Sequence, residues 1–467
     1  MRLLSKSSRW TLPLLGAAAG AVVLAGLPLS GTAATTSGNW PAYLNGQGRT
    51  GYNAAETVIT PSTAPKLTKL WADTAGGSIS AEPIQVNGVT YYGSWDGKES
   101  AVNAATGTAL WSTDLGTASD CALTVGVAST PTVATITVHG TATQVLFVGG
   151  GDGSFYALNA STGAVIWKTP FGAPPGYFVW SSPQLYKDSI YEGISSFGDC
   201  PLIRGGIVRM NAATGAVQNT LYTVPAGCTG ASVWGSPTVD GATGDIYFAT
   251  GNSGSCTSTE PLAVAVVQTD SSLNLLSSWQ VPTTQHGTDS DFGSTPTLFS
   301  ANISGVLHQM VGLQNKNGVY YAFNRASLSS GPVWQKRIAT GGDCPQCGTG
   351  ADISPSAYDG HVFVAGETTT INGVSCKGSI SSLKPGNGAT VWADCLPSAV
   401  LGAVTAVPGV VFVGAGNIVY ALDASTGAIL WRYQDTTSGS DFFGAMTISN
   451  GVVYAGNQDG KLYAFHT

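Results

Sequence analysis

The line A-x-N-A-x-T-G-x-x-x-W recurs along this chain and limits what it can fold into. It reads A-V-N-A-A-T-G-T-A-L-W up to Trp111, A-L-N-A-S-T-G-A-V-I-W up to Trp167 and A-L-D-A-S-T-G-A-I-L-W up to Trp431. A fourth copy, R-M-N-A-A-T-G-A-V-Q-N, carries Asn219 where the others carry tryptophan. Each copy spells a hairpin: Asn or Asp bonds its own backbone to start the turn, Gly ends it at positive φ, and alternating apolar residues flank it. The tryptophan on the second strand is a large flat packing unit between neighbouring sheets.

Two more strands accompany every hairpin. One opens near S-x-P, at Pro83, Pro131, Pro183, Pro237, Pro296, Pro355, Ala403 and Ala445; the next contains Tyr91, Phe147, Tyr191, Tyr247, Met310, Phe363, Phe412 and Tyr454. Third strands contain Val102, Leu158, Met210, Val264, Phe323, Leu383, Leu422 and Phe465. Fourth strands, with Trp111, Trp167, Leu221, Trp279, Trp334, Trp392 and Trp431, stop one short, because Thr467 follows directly on the last third strand. The missing strand stands at the other end, in K-L-W with Trp71. A strand from the N-terminus that completes the last sheet closes a ring and leaves no open edge at the seam. The expectation is an all-β, eight-bladed β-propeller of four-stranded antiparallel blades.

Residues 1–34 precede this ring. Arg2, Lys6 and Arg9 stand before the apolar run Thr11 to Leu29, and Gly31, Thr32, Ala33 and Ala34 follow, the pattern of a secretory signal peptide. The expectation is therefore a secreted protein with a single domain over 35–467, without a lipid anchor or membrane span, and monomeric. Removing the leader takes away three basic residues and no acidic one, which moves the formal charge from −7 to −10. Such a chain is a poor candidate for nucleic acid or anionic membrane. Eight cysteines in an exported chain point to disulfides. A loop staple is expected for Cys344 and Cys347, and a staple across the K-P-G-N-G hairpin for Cys376 and Cys395; Cys121, Cys200, Cys228 and Cys256 stay unassigned. No C-x-x-C-H occurs, so covalent haem is not indicated, and the five histidines show no zinc spacing.

Antiparallel blades put the N-A-x-T-G turns at one end, and the loops before first strands and after second strands at the other. The long insertions near 193–206, 251–262 and 366–377 fall at this second end, which is where a site is expected. Trp234 opens a first strand, Asn252 closes a second, and Asp289, Asp291 and Lys316-Asn317-Gly318 lie at the same end of the adjacent blade.

On these residues the chain resembles the quinoprotein alcohol dehydrogenases, eight-bladed propellers that bind pyrroloquinoline quinone (PQQ) and calcium, and among them the polyvinyl alcohol dehydrogenase branch. W-x-S-P-T-V-D with Y-x-x-T-G-N is similar to the segment whose tryptophan forms the floor under the quinone and whose asparagine ligates calcium, implying those roles for Trp234 and Asn252. D-F-G-S-T-P-T-L at 291–298 is similar to the segment carrying the catalytic base, implying Asp291, which also belongs to the metal site. Q-N-K-N-G-V-Y-Y-A-F-N-R at 314–325 is similar to the segment whose lysine reaches a quinone oxygen, implying Lys316. Arg204 keeps the family's R-G beside the cofactor, and Asp199 is the one carboxylate offered where the family places a glutamate ligand.

The resemblance implies an alcohol substrate, secondary or polymeric among the options, and an external electron acceptor. The competing expectation is a non-catalytic extracellular propeller, a binding or scaffold protein without cofactor. Its residue-level counterparts are a packing role for Trp234, a turn role for Asn252, a loop cap for Asp291, and solvated side chains for Lys316 and Asp199. A polysaccharide-cleaving propeller would want a Tyr, His or Arg constellation on the same face, and His286 is too isolated to supply it.

Overall fold

In the computed structural model, which describes residues 38–120, 123–199, 201–256 and 260–467, first strands pair with second, second with third and third with fourth in eight antiparallel sheets. Blade 1 runs Ile84–Val86, Val89–Gly93, Lys98–Asn103 and Ala109–Asp114. The N-terminal strand Thr68–Thr74 pairs with Lys461–His466 and completes blade 8, so the ring closes as the strand count requires. Val264, expected inside a third strand, instead directly precedes Ala265–Thr269 at φ 49°. Among the described residues no helix is long and apolar enough to cross a membrane. Residues 1–34, where a leader is expected, and Cys121 and Cys200 lie outside the described residues.

The repeat's residues weld blade to blade. Trp71, Trp111, Trp167, Trp334 and Trp392 each donate their indole N–H to a carbonyl in the 3–4 turn of the next blade, Ala104, Ala160, Ala212, Pro385 and Ala424 respectively. The turn glycine must be glycine twice over. Gly163 has φ 73°, and a Cβ there would stand 2.6 Å from the Trp111 ring. Where tryptophan is lost, Asn219 makes the crossing itself through Nδ2 to Ser272 O at 2.6 Å.

The S-x-P openings form a belt around the central axis. Backbone N–H groups of Glu82, Thr130, Ser182 and Ser236 donate to the hydroxyls of Thr130, Ser182, Ser236 and Thr295, each on the next blade. One step along the strand, Thr132, Thr238, Thr297 and Thr447 donate to carbonyls of Pro183, Pro296, Ser356 and Pro83. Small hydroxyl residues suit this position because inner strands converge there and their own edges need partners.

Inside the belt lies a hoop that the sequence pattern did not reveal. Residues 38–53 run round the channel wall and touch all eight blades. Trp40 pairs with Gln85, and carbonyls of Pro41, Gln47, Gly48, Thr50 and Gly51 accept from Val133, Val239, Leu298, Tyr358 and Ala406. Asn53 Nδ2 reaches Ile448 O on blade 8. Arg49, fully buried, supplies blade 3 through Ser182 O and Pro183 O and adds Tyr43 O and Pro237 O.

Candidate functional site

Four loops from blades 4 and 5 bring their side chains together at the end of the ring away from the N-A-x-T-G turns. Asn252 follows the second strand Ile246–Ala249; Asp289 and Asp291 precede the first strand Thr297–Ile303; Lys316 follows Val306–Asn315. Lys316 Nζ lies 2.7 Å from Asp289 Oδ2 and 3.4 Å from Asp291 Oδ2. Asn252 completes the network, with Nδ2 2.5 Å from Asp289 Oδ1 and its backbone N–H 2.5 Å from Asp291 Oδ1. The loops are pinned from behind: Asn315 Nδ2 donates to Ser290 O, and Lys316 N–H to Asp291 O. Gly251 is required here, since a Cβ would meet the Asp291 carboxylate at 2.7 Å.

Beneath the lysine lies an aromatic face. The ammonium stands 5.2 Å from the Trp234 ring centroid, within cation–π range. Trp234 reaches from blade 4 over blade 5, because Gly293 has no side chain: a Cβ there would overlap both the indole and Ile353 of blade 6. Its ring nitrogen is buried without a hydrogen-bond partner among the described residues.

The two aspartates are electrically unlike. Burial pushes Asp289 up, but the Lys316 charge and hydrogen bonds outweigh it and hold this carboxyl below its usual range. Asp291 stands above its usual range, raised by burial first and by the neighbouring Asp289 charge, with Lys316 opposing. Burial lowers Lys316, yet the two carboxylates more than reverse that and keep it charged. Two like charges sharing one site are expected to separate in this way.

The structure joins Trp234, Asn252, Asp291 and Lys316, and adds Asp289 as the principal partner of the lysine. The D-S-D spacing was the available signal for Asp289. Arg204 is engaged elsewhere: its guanidinium lies 3.9 Å over the Tyr222 ring and donates to Val224 O. The chain pairing Arg204 with Gly230 and Gly230 with Ser253 links its loop to the Asn252 loop. Asp199 is exposed, and no contact joins it to the cluster among the described residues. Disulfides tie this face: Cys228–Cys256 clips the Asn252 loop, Cys344–Cys347 closes the C-P-Q-C loop, and Cys376–Cys395 clips the blade 6 insertion.

Eight welded four-stranded blades define an eight-bladed β-propeller, with the polar cluster on one face. Residues 32–176, 100–267 and 316–467 match the family described as outer membrane protein assembly factor BamB, and the chain belongs to that family. Among curated proteins it is 26% identical to a polyvinylalcohol dehydrogenase of a Pseudomonas species, over 85% of this chain and 69% of that one. It is 25% identical to the polyvinylalcohol dehydrogenase of Sphingopyxis sp. (strain 113P3), over 84% and 68%. In fold it is similar to the quinohemoprotein alcohol dehydrogenase of Comamonas testosteroni, with TM-score 0.71 and 17% identity, over 92% of this chain and 80% of that one. It is also similar to BamB of Moraxella catarrhalis, with TM-score 0.56 and 14% identity, over 86% and 98%. The haem named for the Comamonas protein belongs to that protein, since a likeness at this identity carries the fold alone.

Proposed function

We propose that this chain is an exported, PQQ- and calcium-dependent dehydrogenase that oxidises an alcohol and hands the electrons to a separate acceptor. The observation that carries the reading is the assembly of a buried lysine, two aspartates and an asparagine over an aromatic face, from four loops of two blades.

The residues fit the group. Asn252 Oδ1 and the carboxylates of Asp289 and Asp291 are hard oxygen donors of the kind calcium takes. A planar quinone would suit the Trp234 ring, and the Lys316 ammonium on the same side of that ring would be the group to meet a quinone oxygen. When bound, the quinone would supply the acceptor for hydride from the carbinol carbon, polarised by the cation. The protein's own part is the proton: Asp291, the carboxyl raised above its usual range, takes it from the substrate hydroxyl. Asp289 and Asn252 hold Lys316 and Asp291 in place.

Terbium(III) luminescence sensitised by tryptophan, followed by PQQ titration in calcium, tests this. Luminescence lost in Trp234→Phe or Asp291→Asn, calcium-dependent PQQ binding, and dye reduction by alcohols abolished in Asp291→Asn are expected. Absence of both metal and PQQ binding would favour the second reading, a cofactor-free scaffold. That reading draws support from the family's assembly-factor description and from the position of Asp199 outside the donor set.

A further inference from the structure

The turn end of the ring carries a departure from the repeat. In four copies the residue after the turn-starting Asn or Asp is alanine: Ala104, Ala160, Ala212 and Ala424. In blade 5 it is Arg325. Its guanidinium lies at the edge of a cavity of about 280 Å³ between blades 4, 5 and 6, on the far side of the hoop from the candidate site.

This cavity is polar, rigid and electrically balanced. Arg325 Nη1 lies 2.5 Å from Asp240 Oδ2, and Nη2 lies 2.6 Å from Gln309 Oε1, so three planar side chains form one fixed array. The arginine is nine-tenths buried, and its Nε has no hydrogen-bond partner among the described residues. Among the described residues Gln309 Nε2, at an exposed position, and the Thr50 hydroxyl of the hoop make no hydrogen bond, and the Tyr358 hydroxyl, which donates to Ser300 O, keeps its oxygen free to accept. Tyr358 packs at a tilt against Phe299, ring centroids 5.6 Å apart, and the two rings give the wall an apolar part.

We infer that this cavity is a binding site for a neutral, polyhydroxylated ligand the size of one sugar ring. The Asp240 carboxylate cancels the arginine's charge, which disfavours an anion or a cation. Alternating donors and acceptors suit vicinal hydroxyls, and the aromatic wall suits the C–H face of a ring. The volume lies just below the range of ligand pockets, roughly 300–1,000 Å³, and matches a single ring. Because Gly48 and Thr50 line it, an occupant also braces the hoop.

Saturation-transfer NMR and calorimetry on the mature protein would use D-glucose, D-galactose, D-mannose and sorbitol as probes, with acetate and sulfate as ionic controls. Saturable binding of at least one neutral probe is expected. Gln309→Ala, at an exposed position that does not threaten folding, should weaken it roughly tenfold, about one hydrogen-bonding side chain. Arg325→Met with Asp240→Asn, which removes both charges together, should abolish it, while Trp234→Ala on the opposite face should leave it unchanged. Absence of transfer to every neutral probe overturns the inference, as does binding unaffected by Gln309→Ala or an affinity for acetate or sulfate that equals or exceeds the sugars'.

Discussion

Glu99 should make the protein lose stability steadily as pH rises. It sits on the third strand of blade 1, fully buried, and neither carboxylate oxygen has a hydrogen-bond partner among the described residues. Strand register places Phe155, Ile207, Val266, Tyr320, Ile380, Val419 and Leu462 at the equivalent position of the other blades, all apolar or aromatic. Burial alone pushes this carboxyl well above its ordinary value, with no cation to offset it. The folded state therefore keeps a proton that the unfolded chain releases above about pH 4.5. Stability is complete below that value and falls by about 1.4 kcal/mol per pH unit until the folded group ionises. Glu99→Leu removes the effect. In urea unfolding at rising pH above about 4.5, the variant's advantage over wild type should widen, by up to about 1.4 kcal/mol per unit. Glu82 and Glu192, each pushed up to about 8 mainly by burial, contribute equally to both proteins and cancel in the difference. Parallel stability curves would refute the reasoning, because they would mean Glu99 is ionised in the fold.

Arg49→Met should cost about 3–5 kcal/mol, as expected for removing a buried charged group that satisfies four carbonyls, and should expose the hoop near Gly46 to protease; thermal melting and limited proteolysis report the two effects. Gly163→Ala should destabilise by roughly 1–2 kcal/mol from positive φ alone and more from the clash with Trp111, read by thermal melting beside a solvent-facing glycine control such as Gly140→Ala. Cys228→Ser with Cys256→Ser opens a loop of 28 residues' separation and should cost about 3 kcal/mol, with hydrogen exchange rising in the segment around Asn252. Equal exchange there in wild type and variant would show that the clip does not hold the Asn252 loop.

The blade count could be read directly because each blade repeats one hairpin whose tryptophan and glycine fit only one way against the next. The closure could also be read, since a missing fourth strand leaves Trp71 no other place. The hoop could not. Its contacts are mostly backbone carbonyls of Pro41, Gln47, Gly48, Thr50 and Gly51, which any residue can present, so N-W-P-A-Y-L-N-G-Q-G-R-T-G-Y-N carries no periodicity that announces it. The hydroxyl belt was visible as S-x-P but not as a belt, because its bonds join residues some 50 positions apart. At the site, loop membership brought Trp234, Asn252, Asp291 and Lys316 to one face. The dominance of Asp289 over Asp291 in holding the lysine depends on a difference of 0.7 Å that no spacing encodes.

Positions that break the repeat are the ones with chemistry to account for. Asn219 breaks it and replaces the lost indole bond with one of its own, which makes it structural. Gly293 occupies the position three residues before Pro296, where Trp180 and Trp234 stand before Pro183 and Pro237, and its missing side chain is what lets Trp234 extend across the ring mouth. Arg325 breaks it and gains an ion pair to Asp240 of blade 4, while Glu99 breaks it and buries a carboxyl without a hydrogen-bond partner among the described residues. A ring welded by indole bonds, a hydroxyl belt and the hoop can carry such local costs, which explains how both ends of one rigid scaffold hold polar clusters that a packed blade would not tolerate alone.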